Sequence, residues 1–85
     1  MNIRHELKIV TGPFEEVKAG VKTAEFRRND RGYQVGDWCL LREWLPESQT
    51  YTGRDILIRV TCITTGYGIP DGYAMLSFKA DGGAP

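Results

Sequence analysis

Five short strand-like segments, separated by turn-forming residues, set the strongest limit on what this 85-residue chain can fold into. Each is six to ten residues long and either alternates apolar with polar positions or is rich in β-branched and aromatic residues. Short strands joined by turns close readily into a small barrel with one core. We therefore predict a mostly β (α+β) fold, a small and mostly antiparallel barrel. The predicted strands are His5–Val10, Thr23–Arg28, Trp38–Trp44, Asp55–Thr64 and Tyr73–Phe78.

One short helix is predicted between the first and second strands. Thr11 or Gly12 is expected to cap its start, and Gly20 is a natural stop at its end. Three apolar residues recur at helical spacing and are expected to pack on the core: Phe14, Val17 and Val21. We assign residues 1–79 to a single domain and residues 80–85 to a flexible tail, because that tail is small and polar.

Composition limits the kinds of partner that this protein can attract and the cellular compartment in which we expect it. Eleven Lys and Arg balance eleven Asp and Glu, so no global charge draws the protein to nucleic acid or to a membrane surface. No apolar run approaches the roughly 20 residues of a membrane span, and the N-terminus lacks a signal peptide, so we expect a cytoplasmic protein. Cys39 and Cys62 lie in apolar strands and are expected to be buried, reduced thiols. Two cysteines and a single histidine disfavour a metal site, and we expect no cofactor.

The segment from Lys22 to Arg31 concentrates charge within this neutral chain. Its ten residues hold four cations and two acids, a local charge of +2. Glu25 and Arg27 fall on one side of the second strand, and Phe26 falls on the other. Such a cluster either solvates a strand edge as a structural ion pair or lines a polar binding site. Any recognition of an anion must come from this local pattern.

The run Gly20-x-Lys22-x-x-Glu25-x-Arg27 resembles the signature of the ASCH domains, a branch of the PUA-like superfamily. The flanking pieces are similar to a small ASCH-like family of unknown function, common in bacteria and their phages. The resemblance covers about residues 4 to 79. The pieces that carry it are His5–Ile9, Arg28–Arg31, Val35–Asp37, Leu41–Trp44, Tyr51–Arg54 and Asp71–Tyr73.

The resemblance implies a PUA-like barrel and a polar cleft of RNA-binding character, lined by Lys22, Glu25 and Arg27. A guanidinium suits a phosphate or a base edge. Glu25 can hold Arg27 in place or accept hydrogen bonds from an amino-bearing base. We therefore predict a module that binds RNA or a nucleotide. The predicted ligand-binding residues are Lys22, Glu25, Arg27, Arg28, Arg31, Lys8, His5, Trp44 and Tyr67.

Several of these residues can be explained by a structural role as well as by ligand binding. Arg28 and Arg31 flank a turn and can contact a nucleic-acid backbone. Trp44 and Tyr67 can stack on a splayed base, although aromatic residues in so small a protein often belong to the core. His5, the only histidine, either makes a structural hydrogen bond or supplies a donor and acceptor beside the cleft.

Two other function classes stay open. Some ASCH-like proteins are amidohydrolases that remove acyl groups from cytidine, using a lysine, a threonine and a glutamate from a later strand. Lys22 and Thr23 match that pattern, but Glu25 occupies the nucleophile position, and the last strand contains no glutamate. The third class is a phage-type protein that binds a host protein, with Trp38 or Trp44 as its anchor.

Overall fold

The computed structural model describes residues 2–81, which form one curved five-stranded sheet, a half-barrel, with one short helix. The strands lie in the order β1-β3-β4-β5-β2; β1 and β3 are parallel, and the other neighbouring pairs are antiparallel. The predicted fold class is therefore confirmed. The elements in chain order are β1 Ile3–Val10, α1 Thr11–Lys18, β2 Ala24–Arg28, β3 Trp38–Leu45, β4 Thr50–Thr64 and β5 Tyr73–Ala80.

The core lies on the inner face of the sheet, under α1. Alternate residues of each strand point inward, as the period of two in a β-strand requires. Phe14 and Val17 bury the apolar side of α1 against β1 and β3. The buried apolar residues of the strands are Leu7, Ile9, Cys39, Leu41, Ile58, Val60, Ala74, Leu76 and Phe78.

The start of α1 and the position of Val21 differ from the prediction. The helix begins at Thr11, and Val10 occupies the N-cap position, so neither Thr11 nor Gly12 caps it. Thr11 instead donates its hydroxyl hydrogen bond to Glu43. Val21 is 75% exposed because α1 has already ended at Lys18 and the chain turns through Gly20, whose φ is +80°.

Cys62 corrects the prediction of two buried thiols. Cys39 is buried, whereas Cys62 is exposed, and both are free. The pairing of β4 with β5 shifts register between Val60 and Cys62. An extra residue in one strand reverses which positions face inward beyond it. Val60 therefore faces the core, and Cys62, two residues later, faces solvent.

The strand ends extend beyond the prediction. β4 begins at Thr50, five residues before the predicted start at Asp55. β5 continues through Ala80, and the backbone N–H of Asp81 donates a 2.8 Å hydrogen bond to the carbonyl of Leu57. Of the predicted tail, residues 82–85 lie outside the described residues. Within residues 2–81, no helix is long and apolar enough to cross a membrane.

Candidate functional site

The two edge strands of the sheet, β1 and β2, are connected by arginine side chains. Arg27 donates a hydrogen bond to the backbone carbonyl of Lys8, and Arg31 donates one of 3.2 Å to the carbonyl of Glu6. Residues two apart on a strand direct their carbonyls to the same edge. Both arginines therefore donate to backbone carbonyls on the edge of β1 that faces away from β3. We call this junction the β1–β2 seam.

Lys22, Glu25 and Arg27 meet at this seam and form what we call the seam cluster. The ammonium of Lys22 lies 3.5 Å from one carboxylate oxygen of Glu25, and the guanidinium of Arg27 lies 3.0 Å from the other. Their side chains are 28%, 14% and 22% exposed, respectively. Within residues 2–81, the Nε–H of Arg27 is buried and meets no acceptor. The cluster is half-buried and retains an unused hydrogen-bond donor.

The strands and the chain after α1 explain why these three side chains converge. Glu25 and Arg27 pair with Leu76 and Ala74 of β5, both buried, so the register turns the two charged side chains inward. Lys22 precedes β2, and its backbone N–H donates to the carbonyl of Glu16 in α1. The chain leaving the helix therefore places Lys22 beside Glu25.

Tyr33 and a histidine–aspartate pair lie in the same part of the inner face. His5 Nε2 is 2.9 Å from Asp37 Oδ2, and the His5 ring packs edge-on against Tyr33 with centroids 4.7 Å apart. Burial raises the pKa of Tyr33, while the positive charges of Arg27 and Arg31 act in the opposite direction. Burial also acts to raise the pKa of Asp37, but hydrogen bonds from the Gln34 backbone N–H and His5 outweigh it and lower that pKa.

The other predicted ligand-binding residues lie away from the seam cluster. Arg28 points to the outer face, where its guanidinium lies 5.6 Å from the Tyr73 ring centroid. The ammonium of Lys8 also lies on the outer face, 4.0 Å from the centroid of the Trp44 indole. Tyr67 is 95% exposed in the loop before β5. The predicted set is thus divided between the inner and outer faces of the sheet.

A second charged network, built around Glu43, was missed by the sequence reasoning. Glu43 is 3% exposed and accepts hydrogen bonds from the hydroxyls of Thr11 and Thr52, each at 2.7 Å. Arg54 donates to both of its oxygens, at 2.8 Å from Nε and 3.0 Å from Nη2, and also binds Glu15 at 2.7 Å. We call these five residues the Glu43 network.

Every hydrogen bond that Glu43 accepts favours the charged form of its carboxylate. Arg54 above all, then Thr52 and Thr11, lower the pKa of Glu43 to about 2, and Glu43 in turn raises the pKa of Arg54. One signal for the network was present in the sequence. Glu43 continues the inward series after Cys39 and Leu41, a position where a charge requires a partner.

The two networks offer different chemistry. The Glu43 network links α1, β3 and β4 and leaves its carboxylate fully occupied, which suits a structural role. The seam cluster offers two cations, a carboxylate and an Nε–H that meets no acceptor among the described residues, which suits an anionic or hydrogen-bonding ligand. Within residues 2–81, no group of three His, Cys, Asp or Glu side chains is placed to hold a metal ion.

Comparison with known proteins gives the chain relatives but no activity. It is 42% identical over 60 residues to an uncharacterized 12.9 kDa protein in the GpA 3′ region of Escherichia phage P2. That alignment covers 71% of this chain and 53% of the phage protein, so the chain spans about half of that relative's length. Residues 4–78 match the family described as a domain of unknown function, DUF3850. The match includes the seam cluster and the Glu43 network, and the chain belongs to the DUF3850 family.

Proposed function

We propose that the half-barrel is a PUA-like domain of the ASCH type and that it binds RNA or a nucleotide at the seam cluster. One observation carries the proposal. Lys22 and Arg27 converge on Glu25 between the two edge strands, and the buried Nε–H of Arg27 meets no acceptor within residues 2–81. A donor left unused in a half-buried site favours a ligand that supplies the acceptor.

The chemistry of the cluster fits the parts of a nucleotide. Phosphate oxygens are acceptors for the ammonium of Lys22 and for the planar fork of Arg27. The carboxylate of Glu25 can accept from an exocyclic amino group, which cytosine and adenine carry and uracil lacks. We therefore expect amino-bearing bases to bind more tightly than uracil at this site.

The geometry gives less support to an amidohydrolase. Glu25 occupies the position where the related hydrolases keep their nucleophile, and each of its oxygens pairs with a cation. The related hydrolases use a glutamate from a later strand, and β5 contains none. A host-protein partner remains the alternative if no nucleotide or RNA binds.

The test is a titration of three proteins: wild type, Lys22→Ala and the matched control Lys18→Ala. Both variants lose one lysine, but Lys18 is exposed at the end of α1 and makes no part of the seam cluster. Backbone amide shifts are followed by NMR as CMP, AMP and UMP are added, and anisotropy of a short labelled RNA is measured at two salt concentrations.

Wild type and Lys18→Ala should bind alike, and Lys22→Ala should bind about tenfold more weakly. With Lys22 and Arg27 contacting phosphates, the affinity for single-stranded RNA should fall with a log–log salt slope of about −1.4. Absence of binding to every nucleotide and RNA, or equal binding by Lys22→Ala, would refute the proposal. If this chain binds no RNA or nucleotide but captures a protein from a bacterial lysate, the host-protein alternative would be favoured.

A further inference from the structure

Both tryptophans of the chain lie on the outer face of the sheet, and each carries a cation on its ring. Lys8 lies 4.0 Å from the Trp44 ring centroid, and the guanidinium of Arg59 lies 5.3 Å from that of Trp38. Tyr51 packs edge-on against Trp44 with centroids 4.9 Å apart. Arg42 lies 3.8 Å from the Tyr51 centroid. We call this set of six residues on β1, β3 and β4 the outer platform.

The outer platform is positively charged although the protein as a whole is neutral. Lys79, which pairs with Arg59 across β4 and β5, adds a fourth cation to the same face. Two carboxylates oppose them, Glu6 beside Arg42 at 3.3 Å and Asp55 in the register position opposite Arg42. Arg59 and Lys79 also line an open depression together with Val35, Gly36, Val60 and Thr61.

From this arrangement we propose that the outer platform binds single-stranded nucleic acid, with bases stacked on Trp44, Tyr51 and Trp38 and phosphates on the neighbouring cations. This site is separate from the seam cluster. Exposed rings stack only on bases that have left a duplex, which selects single strands. A cation lies beside each aromatic ring of the platform, and this alternation of rings and cations matches the alternation of bases and phosphates along a single strand.

The dimensions of β3 suit several nucleotides. Trp38 and Trp44 are six residues apart on one strand and face the same side, a separation of about 20 Å. Leu40 and Leu57 lie between them in register and give an apolar floor. Trp38 and Trp44 are half-buried and Tyr51 is exposed, so each ring can be reached from solvent. A stacked base would replace the cation on the ring, and the displaced cation would stay within reach of a phosphate.

The two tryptophans make the platform directly measurable. Because the chain contains only two and both belong to the platform, tryptophan fluorescence, excited selectively over tyrosine, reports on this face. Single-stranded RNA and DNA oligonucleotides of about eight bases are titrated into wild type, Trp44→Ala, Trp44→Phe, Lys8→Gln and Lys18→Gln. The fold of every variant is checked by circular dichroism.

Both oligonucleotides should quench the wild-type fluorescence. Trp44→Ala should weaken binding about tenfold, and Trp44→Phe should restore most of that loss. Lys8→Gln should reduce the magnitude of the salt slope by about 1, whereas Lys18→Gln should leave it unchanged. Tighter binding of RNA than of DNA would show that the platform also recognises the 2′-hydroxyl. Equal binding would show that it uses base stacking and phosphate contacts alone.

The proposal is overturned if neither oligonucleotide quenches the tryptophans at low salt, or if Lys8→Gln and Lys18→Gln have the same slope. The Lys22→Ala variant distinguishes binding at the outer platform from binding at the seam cluster. If it loses binding to mononucleotides but retains full quenching by oligonucleotides, the two sites act independently. If it loses the quenching as well, the outer platform is not a site of its own.

Discussion

Glu43 and Glu25 are inward-facing carboxylates on the same sheet, and each binds an arginine. Glu43 is 3% exposed and accepts from Arg54, Thr11 and Thr52. Glu25 is 14% exposed and is held by Lys22 and Arg27. The Glu43 network joins three elements and is saturated. The seam cluster joins two sheet edges and, within residues 2–81, leaves the Arg27 Nε–H unused.

The comparison separates structural charge from charge available to a ligand. A buried carboxylate is tolerated when its oxygens are satisfied, and removing one partner then leaves an uncompensated group. A half-buried pair is better screened by solvent and contributes less to folding. We therefore expect substitutions in the Glu43 network to act on stability, and substitutions of Lys22 and Glu25 to act on binding.

The largest effect is expected for Glu43→Gln. The neutral amide cannot balance the charge of Arg54. Whichever oxygen its NH2 group replaces, that group faces one N–H of Arg54 and the hydroxyl of either Thr11 or Thr52. The midpoint of thermal unfolding should fall by about 10 °C or more, measured by circular dichroism. Glu25→Gln is the matched control and should shift the midpoint by less than half as much. Equal shifts of the unfolding midpoint in the two variants would contradict the assignment of a structural role to Glu43 alone.

Acid should destabilise the protein through the low pKa of Glu43. That pKa is about 2 in the folded protein, below its ordinary value of 4.5, so the folded state binds the proton less readily than the unfolded state. The stabilisation is complete above pH 4.5 and is lost as the pH falls toward 2. Urea midpoints should therefore drop steeply across this window in wild type and less steeply in Glu43→Gln. Parallel profiles would contradict the assignment.

Arg27→Ala should have an intermediate effect, because Arg27 bridges the seam. Loss of its hydrogen bonds to Lys8 and Glu25 should cost about 1 kcal/mol of unfolding free energy. The seam should also open more often. In a Cys62→Ser background this would speed the reaction of the buried Cys39 thiol, whose pKa burial raises to about 11, with a thiol reagent. Arg28→Ala on the outer face is the control, and an equal rate in both variants would argue against a bridging role.

Lys22→Ala should have the smallest effect on stability, below about 0.5 kcal/mol, because its ion pair with Glu25 is partly exposed. Chemical denaturation measures this directly. The same variant should lose most of its affinity for nucleotides. A large loss of stability would instead make Lys22 a structural residue and would remove the main cation from the proposed site.

The sequence predicted the strands well because alternation and turn residues are local signals. The short helix and the stop at Gly20 follow from residues close in the chain. The inward direction of Glu25 and Arg27 does not, because the pairing of β2 with the distant β5 sets it. The outward turn of Cys62 was not predictable in this way. It depends on a register shift between β4 and β5, which only the pairing of distant strands creates.

The candidate site was predictable only in part, for the same reason. The spacing of Lys22, Glu25 and Arg27 placed three charges together, but no local signal revealed that Arg27 and Arg31 reach the carbonyls of β1. Lys8 and Trp44 were assigned to the same cleft, yet the parity of β1 and β3 turns both side chains to the outer face. The Glu43 network joins residues up to 39 positions apart.

The most direct test of the account is the NMR signal of the arginine Nε–H groups as a mononucleotide is added. Arg27 Nε has no acceptor within residues 2–81, whereas Arg54 Nε is held by Glu43 at 2.8 Å. Binding of CMP at the seam should shift the Arg27 signal strongly and leave that of Arg54 in place. A shift of Arg54 with Arg27 unchanged, or no shift of either at saturating nucleotide, would contradict the assignment of the seam cluster as the binding site.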